Sequence, residues 1–168
     1  MKFMVNRQKP YCKVNLCLHV LKGIKMKIKE KYNSKVKGIV LGRLLPTLPS
    51  PYFIYPNEFL SAKELKYVIM QAWLNYGSTV WTDKPEFVFV HYNWLKMIGC
   101  AYFDKSSTLG EYTLICMFDE KQGEVIWRHL QKVKKFLEKA SQRIKQGQSM
   151  NIVMKNLYEE VSKKMNKL

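Results

Sequence analysis

Apolar and polar residues alternate along two early stretches of the chain. Val14, Leu16, Leu18 and Val20 alternate with Asn15, Cys17 and His19, and Ile24, Met26 and Ile28 alternate with Lys25, Lys27 and Lys29. A period of two marks a strand with one apolar face. Gly23 lies between the two stretches and allows a bulge that joins them as one bent strand. Val36 to Leu45 is a third apolar run, with Gly38 and Gly42 inside it. Pro46, Pro49 and Pro51 then remove backbone donors and fix φ. Pro46–Pro51 is therefore expected as an exposed loop, with Tyr52–Tyr55 extended behind it.

The period changes at Ser61. Ser61 and Glu64 have the spacing of a capping box, and Leu65, Val68, Ile69, Ala72, Trp73 and Tyr76 fall on one helical face that ends at Gly77. Strands are expected at Thr79–Trp81, Glu86–Tyr92, Leu95–Phe103 and Tyr112–Phe118, with a turn over Asp104–Gly110. Asp119 is a cap for a second helix running to Lys145, with Ile126, Leu130, Val133 and Leu137 inward. Gln146-Gly147-Gln148 breaks it. Ser149 caps a last helix with a stripe of Ile152 or Val153, Leu157, Val161 and Met165. The fold class that follows is α+β: a mainly antiparallel twisted sheet packed against two or three helices in a single domain. Residues 1–10 read as a flexible basic arm, 11–148 as the compact domain with a Pro-rich loop at 46–56, and 149–168 as a C-terminal helix. Trp73 and Trp127 are both expected in the core.

Charge adds segregation to this picture. Residues 1–43 hold twelve Lys or Arg against one acidic residue, Glu30, and residues 121–168 hold twelve against four Glu, whereas residues 46–120 are slightly acidic. A net charge of +16 on 168 residues exceeds anything solubility needs, and its self-repulsion opposes compaction. Two basic ends on a near-neutral body suit a polyanion, either nucleic acid or an anionic membrane. The expected basic surface comprises Lys2, Arg7, Lys9, Lys13, Lys25, Lys27, Lys29, Lys31, Lys35 and Lys37 from the first part. Lys132, Lys134, Lys135, Lys139, Arg143 and Lys145 on the second helix complete it. Lysine is a hydrated point charge that meets phosphate without reading sequence.

Signatures of catalysis are missing. The chain has no phosphate-binding glycine loop, nucleophile elbow or two-histidine zinc helix, and His19, His91 and His129 are scattered. Asp83, Glu86 and Asp104 read as solvated surface rather than as metal ligands. Cys12, Cys17 and His19 lack the fourth ligand of a structural zinc site. No enzyme activity, metal or cofactor is expected. Met1–Pro10 does not lead into a signal-peptide apolar run, no stretch reaches the ~20 apolar residues of a membrane span, and the four cysteines read as reduced thiols of a cytosolic protein.

Leu45, Leu48, Tyr52 and Phe53 lie in or beside the Pro-rich segment, where burial within the domain is difficult, so they are expected to contact a neighbouring protomer in a homo-oligomer or open polymer. Tyr55-Pro56-Asn57-Glu58-Phe59-Leu60 has the Tyr-Pro-x(n)-Leu form of peptides that recruit membrane-scission machinery, but reads better as the lead-in to the helix at Ser61.

Several stretches together resemble a known family. They are Ala72-Trp73 within a capped helix, the Lys84 to Phe87 strand start, Gly110 to Glu120, Ile126-Trp127-Arg128-His129-Leu130 and Phe136 to Ala140. This order is similar to the matrix proteins of rhabdoviruses, over under half the chain. The stretch from Pro85 to Gly110 is shorter than in the animal-virus members and lacks their exposed hydrophobic loop. Their long N-terminus with a Pro-Pro-x-Tyr motif also has no counterpart. These departures point to a compact member from a plant or arthropod virus. The resemblance implies a structural protein of the virion, beneath the envelope and on cytoplasmic membranes of the host. It would self-associate, bind the anionic inner leaflet and condense the viral nucleoprotein–RNA complex for budding. A sequence-independent nucleic-acid-binding protein of a phage or plasmid is the first alternative, and a small basic nuclease the second.

Overall fold

The computed structural model describes residues 35–45, 49–77 and 85–167. The strands expected at 14–20, 24–28 and 79–81 lie outside them. The described residues are α+β, built on a five-stranded antiparallel sheet in the order β2-β1-β5-β4-β3. The strands are β1 (Val36–Leu44), β2 (Pro49–Tyr55), β3 (Glu86–Tyr92), β4 (Met97–Ser106) and β5 (Gly110–Asp119). The helices are α1 (Ala62–Gly77), α2 (Gly123–Arg128), α3 (Leu130–Lys145) and α4 (Met150–Met165).

Both faces of the sheet are covered. On β5, Tyr112, Leu114, Cys116 and Phe118 point to one face, and Ile115 and Met117 to the other. The first face packs on α2, α3 and α4, through Ile126, Val133, Leu137, Ile144, Val153, Leu157 and Val161. The second packs on α1, through Leu65, Val68, Ile69, Ala72 and Tyr76. The central strands β1, β4 and β5 are therefore nearly continuous apolar runs, as doubly covered strands must be. Cys100 and Cys116 are register partners on β4 and β5, both free and buried, and burial pushes both thiols well above their ordinary range.

α1 begins with the expected capping box. The Ser61 N–H donates to Glu64 Oε2 at 2.7 Å and the Glu64 N–H donates to Ser61 Oγ at 3.3 Å. The helix can lie close to the sheet because β1 is bare beneath it. A Cβ on Gly42 would sit 2.7 Å from Ile69 Cγ2, and one on Gly38 would enter the ring of Phe59.

Five expectations change. Pro49–Pro51, expected in the loop, joins the extended Tyr52–Tyr55 in one edge strand, since an edge strand needs donors on one side only, and a register shift at Leu41/Gly42 accommodates its prolines. β4 continues through Asp104 to Ser106, leaving a tight hairpin in which Gly110 takes φ 69°. The single helix expected from Asp119 to Lys145 is three pieces. Asp119 caps a 3-10 turn by accepting from the Lys121 N–H at 3.0 Å, α2 follows, and the chain breaks at His129 before α3. Trp127 is consequently 64% exposed instead of buried, while Trp73 is half-buried against the α1 core. Ser149 occupies the first position before α4, but its hydroxyl makes no capping bond.

Candidate functional site

The cations of α3 divide into two groups. Arg143 donates to Glu160 Oε1 of α4 at 3.0 Å, and Lys139 Nζ lies 3.8 Å from Glu160 Oε2. Lys145 donates to Asp104 Oδ1 at 2.7 Å, and Lys134 lies 3.8 Å from Glu138. These four fasten α3 to its neighbours or to its own next turn. These four of the six α3 cations expected on an open basic surface are thus paired with carboxylates. Lys132 and Lys135 are exposed and have no carboxylate within salt-bridge reach among the described residues.

The open charge gathers at the start of α3. The α2–α3 break places His129 beside Lys132 and Arg128, and the antiparallel return of α4 brings Lys164 to the same spot. Loss of hydration, then the charges of Lys132, Arg128 and Lys164, hold the imidazole below its ordinary 6.5. Arg128 also pairs with Glu124 one turn back. Lys163 and Lys167 are exposed in the same last turn of α4 and its tail. Lysines at a helix C-terminus also meet its negative dipole end, so they are favourable there without carboxylates. Arg128, His129 and Lys164 were absent from the expected surface. The cationic pairs in the last turn of α4 were visible in sequence, but their meeting with α3 was not.

Of the other expected basic residues, Lys37 lies 3.6 Å from Asp119, and the backbone N–H of Lys35 donates to Asn166 Oδ1 at 3.5 Å. Lys2, Arg7, Lys9, Lys13, Lys25, Lys27, Lys29 and Lys31 lie outside the described residues, as does Leu48. Leu45 and Tyr52 are exposed, with Arg43 poised over the Tyr52 ring at 5.7 Å, but Phe53 packs into the core from β2. The Tyr-Pro peptide is engaged in packing: Leu60 is buried, and Tyr55 meets Tyr158 edge-on with centroids 5.4 Å apart.

A second exposed surface lies on the opposite layer. Tyr67 of α1 and Trp94 of the β3–β4 turn form an edge-to-face pair 6.1 Å apart, each about half exposed at 48% and 49%. Trp94 Nε1 donates to Gln71 Oε1 at 3.1 Å, and Gln71 Nε2 donates to the His91 carbonyl at 2.8 Å, so the indole is held in place. Lys63, Lys66 and Lys96 are exposed on the same two elements.

Among the described residues no group of three or more His, Cys, Asp or Glu is arranged to hold a metal ion, and no helix is long and apolar enough to cross a membrane. No protein-family model matches the chain, and no curated protein sequence matches it.

Proposed function

We propose that the chain is a non-enzymatic, viral matrix-type assembly protein that adsorbs to an anionic membrane and, through a second surface, holds a ribonucleoprotein. The observation that carries this reading is the division of the α3 and α4 cations. Lys139, Arg143 and Lys145 are used internally, whereas Lys132 and Lys164 stand beside His129 with no carboxylate in salt-bridge reach among the described residues. A surface kept cationic against its own repulsion gains most from meeting a polyanion. The exposed aromatic pair with lysines on the α1 layer supplies another contact on the far side of the sheet, which suits a bridging role.

Vesicle co-sedimentation tests the reading. Polybasic contact is worth about 1 kcal/mol per lysine near an anionic bilayer and fades with salt. Replacing Lys132 and Lys164 by Gln should weaken binding to anionic vesicles roughly thirtyfold in low salt. Lys139→Gln should leave it little changed, because that ammonium already faces Glu160. Equal binding to neutral vesicles would refute the reading. The Tyr67–Trp94 pair favours the alternative of a sequence-independent single-strand binder, since bases stack on such rings. Salt-sensitive RNA binding lost in Trp94→Ala, without any vesicle binding, would select that alternative.

A further inference from the structure

The two edges of the sheet differ. β2 is guarded: Pro49 and Pro51 lack an N–H for a neighbour, and the register shift leaves Tyr52 out of the ladder. β3, at the other edge, has no proline, lysine or bulge, and its seven residues pair with β4 in unbroken register. Among the described residues no strand lies on its outer side. Its Phe87-Val88-Phe89-Val90 is the composition of a strand inside a sheet, yet Phe87, Val88 and Phe89 are only half-buried. Trp127 stands edge-on to Phe89, with centroids 5.6 Å apart, and most of its indole is in solvent. An exposed tryptophan beside a backbone edge that no described strand pairs has the character of an interface anchor.

We propose that β3 is the self-association edge: it pairs antiparallel with β3 of a second copy about a twofold axis, with Trp127 covering the flank. Charge selects this occupant. A second strongly basic chain is repelled by lysine-rich surface, but this strip carries a single formal charge, Glu86, at its start. Pairing centred on Phe89 sets Val88 opposite the partner's Val90, Phe87 opposite the partner's His91, and Glu86 opposite the partner's Tyr92. The two Glu86 carboxylates lie at opposite ends of the pair. Each acidic end meets the end that leads into the turn bearing Lys96. The contact is isologous and closes as a dimer, unlike the open polymer considered for the Pro-rich segment.

Sedimentation equilibrium and amide exchange on the full chain test the proposal in the absence of lipid, so the outcome is independent of the membrane reading. A reversible dimer is expected, with the Phe87–Val90 amides gaining protection as concentration rises and those of Pro49–Tyr55 unchanged. Trp127→Ala removes a largely solvated side chain. It should keep the native circular dichroism spectrum and weaken the dimer at least about tenfold. Val88→Lys places on this edge the residue that natural edges use as a guard and should abolish the dimer. A chain still monomeric at several hundred micromolar would overturn the proposal. So would protection confined to β2 or α1, or a folded Trp127→Ala variant that dimerises as tightly as the parent.

Discussion

Ser141 donates its hydroxyl proton to Asp104 Oδ2 while its oxygen lies 2.8 Å from the hydroxyl of Tyr112. The middle of α3 is thereby tied to the end of β4 and to β5 by three buried or nearly buried side chains. Asp104, whose side chain is 5% exposed, also accepts from Lys145 Nζ and from the Lys105 N–H at 2.8 Å. Burial, only partly offset by the Ser141 bond, pushes the Tyr112 phenol up to about 12, so it stays a neutral hydroxyl in this network.

The network makes a ranked prediction. Asp104→Ala removes the acceptor on which three donors converge, and should cost about 2–3 kcal/mol. Ser141→Ala should cost about 1–2 kcal/mol by stranding the Tyr112 hydroxyl. Lys145→Ala should cost under about 1 kcal/mol, because that ammonium is exposed and its pairing is screened. Urea unfolding checks the order, and a Lys145 variant as damaging as the Asp104 variant would refute it.

His129 supplies a pH test. Its imidazole is held below the ordinary 6.5, so as pH falls through 6.5 the unfolded chain takes up its proton first. Stability from this group is therefore present above 6.5 and lost as pH falls through the folded value. NMR titration should place His129 below the ordinary 6.5. Anionic vesicles should move it upward, since bound phosphates offset Lys132, Arg128 and Lys164 and favour the charged ring. A position unmoved by vesicles that do bind would place the contact elsewhere.

Thr113 lies in β5 with its Oγ1 buried and without a hydrogen-bond partner among the described residues. Thr113→Val exchanges this unsatisfied hydroxyl for a methyl of similar size. It should stabilise the fold by about 1 kcal/mol, visible as a higher unfolding midpoint. A loss of stability would reveal a partner for that oxygen.

Local signals were legible in the sequence. Short runs of β-branched and aromatic residues located β3 and β5, and Ser61 with Glu64 marked the start of α1, because each depends on residues a few positions apart. What was illegible depends on distant neighbours. Arg143 meets Glu160 across 17 positions and Lys145 meets Asp104 across 41, so a lysine-rich helix face looked free when four of its six cations were engaged. Trp127 was misplaced because one helical period was carried through His129, where the backbone break resets the phase. The prolines of β2 rule out a place inside the sheet and were read as a loop, although they leave an edge strand open.

The facing thiols of Cys100 and Cys116 have a use in the laboratory. Both sulfurs are sealed between helices and sheet, and their raised protonation leaves almost no thiolate to react at neutral pH. A thiol-specific reagent can label them only after the helix layer lifts from that face of the sheet. Their labelling rate is thus a clock for opening at the centre of the molecule, read by mass one peptide at a time. That clock keeps running when the chain is adsorbed to a vesicle or packed in an assembly, where optical melting curves fail.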